Sequence, residues 1–80
     1  MSDYDQFFKS LEFQLNRASR YDEYRHILAV AKVHAVEEMQ RHDRPLPSST
    51  FKQILDQNVP PEILAEVKEE SEFFHILLNG

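Results

Sequence analysis

Ile27-Leu-Ala-Val-Ala-Lys-Val-His-Ala-Val36 is the stretch that decides the fold, because only Lys32 and His34 among its ten residues are polar. An exposed helix carries a single apolar stripe, so a helix that is apolar nearly all round has to be covered on several sides. The residues on either side, Asp22 to Ala29 and Ala35 to Arg41, are strong helix formers without a turn residue. Val30, Val33 and Val36 would also suit a buried strand, but the flanks assign the segment to a helix.

Working outward, nothing between Met1 and Arg44 breaks a helix: the single glycine is Gly80, and the four prolines stand at 45, 47, 60 and 61. Tyr4, Phe7, Phe8, Leu11, Leu15 and Ala18 recur at spacings of three and four, which predicts a first helix over about 3–17 capped by Ser2 or Asp3. The stripe that follows, Tyr21, Tyr24, Leu28, Ala31, Ala35 and Met39, is rotated by roughly 130° from the first at helical pitch, so one continuous rod would face two ways. A tight turn near Asn16 to Ser19 resolves the conflict. Ser19 followed by Asp22 and Glu23 reads as a fresh N-terminus, and the second helix then covers about 20–42.

Arg44-Pro-Leu-Pro-Ser-Ser49 reads as a short rigid connector, since each proline fixes its own backbone and drives the preceding residue out of helix. Thr50 with Gln53 has the capping-box pattern and opens a third helix over about 50–58, with Phe51, Ile54 and Leu55 on one side. Asn58-Val-Pro-Pro61 ends it, and Pro61 suits the first turn of a fourth helix over about 61–78. In that helix Ile63, Leu64, Val67, Phe74 and Leu78 fall inward, while Glu62, Glu66, Glu69, Glu70 and Glu72 fall outward. The expected architecture is a single all-α domain over 1–80, a compact four-helix arrangement with a long, largely buried second helix.

Burial of that helix is the difficulty. Eighty residues bury only roughly two thirds of the surface the unfolded chain exposes. With no cysteine, neither a disulfide nor a thiolate metal site reinforces the core. Pairing of two chains is the remaining route, and a homodimer is expected. The surface expected to close it, or to receive another protein, is Phe13 together with Ala29, Val30, Val33 and Val36, the residues left uncovered once the inward stripes are placed.

Charge narrows the partner. The formal net charge is -5, and its distribution is uneven: residues 1–45 hold seven Lys and Arg against eight Asp and Glu, residues 46–80 two against six. Phosphate backbones are bound mainly by neutralising them, so an acidic domain is poorly matched to nucleic acid. The row Glu62, Glu66, Glu69 and Glu70 is the candidate docking face for a basic protein surface. Helices three and four could imitate a helix-turn-helix, but a recognition helix opening Pro61-Glu62 and carrying those glutamates has the wrong sign. The apolar decapeptide is about half a bilayer-spanning helix, and Met1-Ser-Asp-Tyr-Asp5 lacks the basic start and apolar run of a secretory signal. A cytoplasmic protein without membrane partners is expected.

Chemistry is sparsely represented. Glu23-Tyr-Arg-His26 and Glu72-Phe-Phe-His75 share the spacing of helical di-iron sites, but Glu23, His26 and Glu72 fall off the inward stripes, so neither is assigned as a metal site. His34, with Glu37 and Glu38 one turn on, is read as a packed or interface histidine of an apolar helix rather than as a pH switch or general base. No nucleophile context, Gly-rich loop or convergent acid–base set is present, and neither catalytic residues nor a cofactor are expected. Arg17, Arg20, Tyr21, Tyr24 and Arg25 interleave cations and aromatics and form the candidate anion or nucleotide site. The function expected is therefore a non-enzymatic interaction module, a regulator, adaptor or inhibitor. A ligand- or metal-binding bundle is the alternative, and helix-turn-helix DNA binding the third reading.

Overall fold

The computed structural model describes residues 4–79, and within them the chain is all-helical. The elements are α1 (Asp5–Arg17), α2 (Tyr21–His42), α3 (Ser48–Asn58), α4 (Pro61–Glu70) and α5 (Glu72–Asn79). Their radius of gyration is 11.9 Å, close to the approximately 12 Å of a compact globule of this length. α1 packs on α2 and α3, α2 also on α4, and α5 on α3 and α4.

The first stripe lies where its spacing puts it. Tyr4, Phe8, Leu11 and Leu15 are buried, with Phe7 and Ala18 half-buried beside them. The caps expected at Ser2 or Asp3 lie outside the described residues. The turn falls at residues 18–20, and α2 is capped by Arg20 rather than Ser19. Ser19 stands one residue earlier, where its amide and hydroxyl donate to Glu23 Oε1 at 3.4 and 3.3 Å. Glu23 thus reaches back over the helix start in the manner of a capping box, displaced by one residue.

α2 ends on Asp43, whose φ of 52° lies in the left-handed region, a conformation that aspartate tolerates better than most side chains. The connector that follows is tied down from both sides. Tyr4 Oη donates to the carbonyl of Arg44 at 2.8 Å, and Leu46, between the two prolines, is buried in the core. α3 begins at Ser48, two residues before the expected start, with Pro47 in the cap position. Thr50 is therefore inside the helix rather than its cap.

The largest departure from the expected architecture is at Ser71, which divides the fourth helix into α4 and α5 and makes five helices of four. Its backbone is extended (φ -118°, ψ 116°), its amide closes α4 on Val67 O at 2.9 Å, and its carbonyl accepts from His75 N at 3.0 Å to open α5. Periodicity conceals this break, because Val67, Phe74 and Leu78 stay in phase across it and all three are buried. Phe74 stacks on Phe51 at 6.1 Å, and Phe51 in turn meets Phe7 at 6.1 Å and Phe8 at 6.3 Å. One fully buried ring thereby joins α1, α3 and α5.

α2 is less buried than expected. Only Leu28, Ala31 and Ala35 of its residues are buried, and Tyr21, assigned to the inward stripe, is 49% exposed. Tyr21 turns toward α4, where a carboxylate receives its hydroxyl, instead of entering the core.

Candidate functional site

Two surfaces on α2 carry the features that could serve a function. The first is its outer side. Val33 is 58% exposed, Val36 and Ala29 are exposed and Val30 is half-buried. At about 100° per residue, Val33 stands nearly opposite the Leu28, Ala31 and Ala35 stripe, with Ala29 and Val36 on the side toward α4 and Val30 on the side toward α1. The reason is in the sequence: two adjacent apolar stripes fill this helix, and the chain has only enough other helix to cover one. Phe13 is 60% exposed on the far side of α1, where the Arg17 guanidinium lies over its ring at 5.5 Å. On helical geometry Phe13 and Val33 each point away from the core of their own helix, so they extend the apolar surface in two directions.

The second surface is the seam between α2 and α4. Tyr21 Oη donates to Glu66 Oε2 at 2.7 Å, and Arg25 donates to Tyr21 Oη at 3.2 Å. Arg25 also pairs with Glu66 at 3.5 Å and with Glu70. The hydrogen bond to Glu66 holds the Tyr21 hydroxyl above its ordinary pKa, and the bond to Glu70 does the same for the Arg25 guanidinium. All four groups remain partly in water, so the network orients the seam more than it stabilises it.

This seam takes up two members, Tyr21 and Arg25, of the anion site expected at Arg17, Arg20, Tyr21, Tyr24 and Arg25. Arg25 and Tyr21 are satisfied by glutamates, Tyr24 Oη donates to the carbonyl of Ala18 at 3.1 Å, and Arg17 covers Phe13. Of the three cations Arg25 alone is paired with carboxylates; Arg17 and Arg20 have no ion pair among the described residues. The acidic row divides in the same way: Glu62, Glu66, Glu69 and Glu70 are all exposed, but Glu66 and Glu70 serve Arg25 while Glu62 and Glu69 face solvent without an ion pair among the described residues.

Among the described residues, no three or more His, Cys, Asp and Glu side chains gather as metal ligands. Glu23 is used by Ser19, and the second Glu-x-x-His spacing lies on α5. His34 is exposed on the α1 side of α2, beside a shallow crease lined by Phe7, Leu11, Ile27 and Val30. No helix among the described residues is long and apolar enough to cross a membrane. Comparison of the chain with protein-family models, curated proteins and solved structures finds no significant match.

What sequence reasoning missed is the cross-helix pairing. Tyr21, Arg25, Glu66 and Glu70 were each singled out, but in two separate candidate sites. Their i, i+4 spacing within both helices was the available signal, since Tyr21 and Arg25 share one face of α2 as Glu66 and Glu70 share one face of α4.

Proposed function

We propose that this protein is a small non-enzymatic interaction module of the cytoplasm, which pairs with a second copy through the outer side of α2 and presents its acidic α4 face to a basic protein surface. The observation that carries this reading is the exposure of Val33, with Ala29 and Val36, on the longest helix. Two valines and an alanine facing water on one side of a helix bury nothing within one chain, and apolar surface left uncovered in this way suits an association site. The second copy is favoured because an 80-residue chain without cysteine gains most from it.

Glu62 and Glu69 supply the polar half of the argument. Both are exposed and unclaimed by internal ion pairs among the described residues, so they are available to attract a basic partner and to speed its encounter. The same glutamates repel a phosphate backbone and oppose DNA binding by α3 and α4.

The test is capture of partners from the native host with the intact chain, with Val33→Glu and with the double variant Glu62→Lys/Glu69→Lys. The proposal expects the double variant to lose its protein partner while keeping the fold. Retention of the unaltered protein on a heparin column at physiological salt, or partner capture indifferent to both variants, would contradict it.

A further inference from the structure

A cleft of about 220 Å³ opens where α2 passes the junction of α4 and α5. Its floor is made by the buried side chains of Leu28, Val67 and Phe74, and its lips by Arg25, Ala29 and Lys32 of α2 and by Glu70 and Ser71 of the junction. The break at Ser71 has a consequence here. α2 keeps company with α1 and α4, while α5 turns toward Phe51 of α3, and the space between α2 and the start of α5 is left open.

The size and lining specify what the cleft can hold. An enclosed apolar cavity of about 150 Å³ accepts a benzene-sized guest, so the floor can take a short alkyl chain or a single ring. Ala29 keeps the mouth clear because its side chain ends at Cβ. The polar groups at the lip are unequal in their commitments. Arg25 is held by Glu66 and Glu70, and so neutralises the one carboxylate at the mouth. Lys32 has no hydrogen bond or ion pair among the described residues. Ser71 Oγ accepts weakly from Phe74 N at 3.5 Å, which leaves its proton to donate. One uncommitted ammonium and one hydroxyl donor over an apolar floor match a carboxylate with a hydrocarbon body.

We infer that the cleft between α2 and the α4–α5 junction binds a small amphiphilic monocarboxylate, its hydrocarbon on Leu28, Val67 and Phe74 and its carboxylate on Lys32 and Ser71. This differs from the site expected at the α1–α2 turn, and it shares only Ala29, at its mouth, with the surface proposed to pair two chains. The cation that matters is Lys32, about two helical turns along α2 from Arg25.

The test is a titration of the isotopically labelled full chain, followed by amide chemical shifts, with hexanoate, hexan-1-ol and hexylamine as probes. Saturable shifts are expected at Ala29, Lys32, Ser71 and Phe74, with hexanoate binding tightest and hexylamine weakest. Lys32→Gln, an exposed substitution that spares the fold, should bring hexanoate to the affinity of hexanol, a loss of about two- to fivefold for a solvent-accessible pair. Ala29→Phe should fill the mouth and abolish binding of all three. The inference is overturned if no probe saturates, if shifts at Phe13 and Val33 match those at the cleft, or if the three probes bind alike. It is equally overturned if the Ser71 and Phe74 amides, which lie off the proposed pairing surface, shift with protein concentration alone, since a second copy would then occupy the site.

Discussion

The side of the molecule built by α1, α3 and α5 and the side built by α2 and α4 are closed by opposite means. On the first, Phe51 is fully buried and touches rings from both neighbouring helices. On the second, α2 contributes a single large side chain, Leu28, with the small Ala31 and Ala35 to the core, and its border with α4 carries the water-accessible network of Tyr21, Arg25, Glu66 and Glu70. Large aromatic rings bury much area per residue and fix their neighbours by shape. Alanines let helix backbones approach but bury little, and exposed ion pairs contribute little. The difference teaches where stability resides and where surface is left for other work: the aromatic side holds the fold, and the α2 side carries the uncovered valines and the open cleft.

Substitution at Phe51 should break the molecule most severely. Phe51→Ala removes the ring shared by three helices and should cost about 3–5 kcal/mol, about half of the middle of the roughly 4–12 kcal/mol range for a domain of this length. Urea denaturation followed by circular dichroism should show the unfolding midpoint moved to much lower urea. A loss below about 1 kcal/mol, the range of surface changes, would mean the rings do not organise the core.

Ala35 tests the other side from within. Ala35 is fully buried, so Ala35→Leu has no room and should destabilise by about 1–3 kcal/mol through overpacking. A stabilised Ala35→Leu would show that α2 lies looser on its neighbours than the structure has it.

Smaller again is the seam. Arg25→Gln should lower stability only slightly, and less in high salt, because its partners are partly exposed. The seam also gives a pH signature of definite sign. The Tyr21 hydroxyl is held above its ordinary pKa, chiefly by donating to Glu66, so the folded state favours the protonated phenol. Its contribution is present in full below the ordinary phenol value of about 10 and is lost as pH rises through the higher folded value. A shallow alkaline loss of stability that disappears in Tyr21→Phe is expected. Persistence of that loss in Tyr21→Phe would assign it elsewhere.

These comparisons also mark what could be read in the residues themselves. The apolar stripe of α1, the turn before α2 and the inward set Ile63, Leu64, Val67, Phe74 and Leu78 follow from spacing alone, because each is local and each phase is unambiguous. The break at Ser71 was not legible, since a helix interrupted by one extended residue with its buried positions still in phase leaves the pattern almost unchanged. Leu46 between two prolines has no periodicity to declare it buried. The candidate sites were legible as residue types and not as groups. Arg25 looked free to bind an anion because Glu66 and Glu70, 41 and 45 positions further along, have no local signature that they would claim it. The uncovered side of α2 was the most legible feature of all, because counting apolar residues against the helix available to cover them needs no tertiary information.

Val33→Glu therefore measures the central claim most directly, with sedimentation equilibrium of the intact protein and the variant at micromolar concentration. Val33 is exposed within one chain, so the variant should keep the helical fold and lose only the concentration-dependent stability that pairing supplies. The unaltered chain should sediment as a dimer and Val33→Glu as a monomer, since an unpaired charge would be buried between two copies. An unaltered protein that sediments as a monomer across that range, or a variant that keeps the dimer mass, would contradict the assignment of α2's outer side as the surface through which this protein associates.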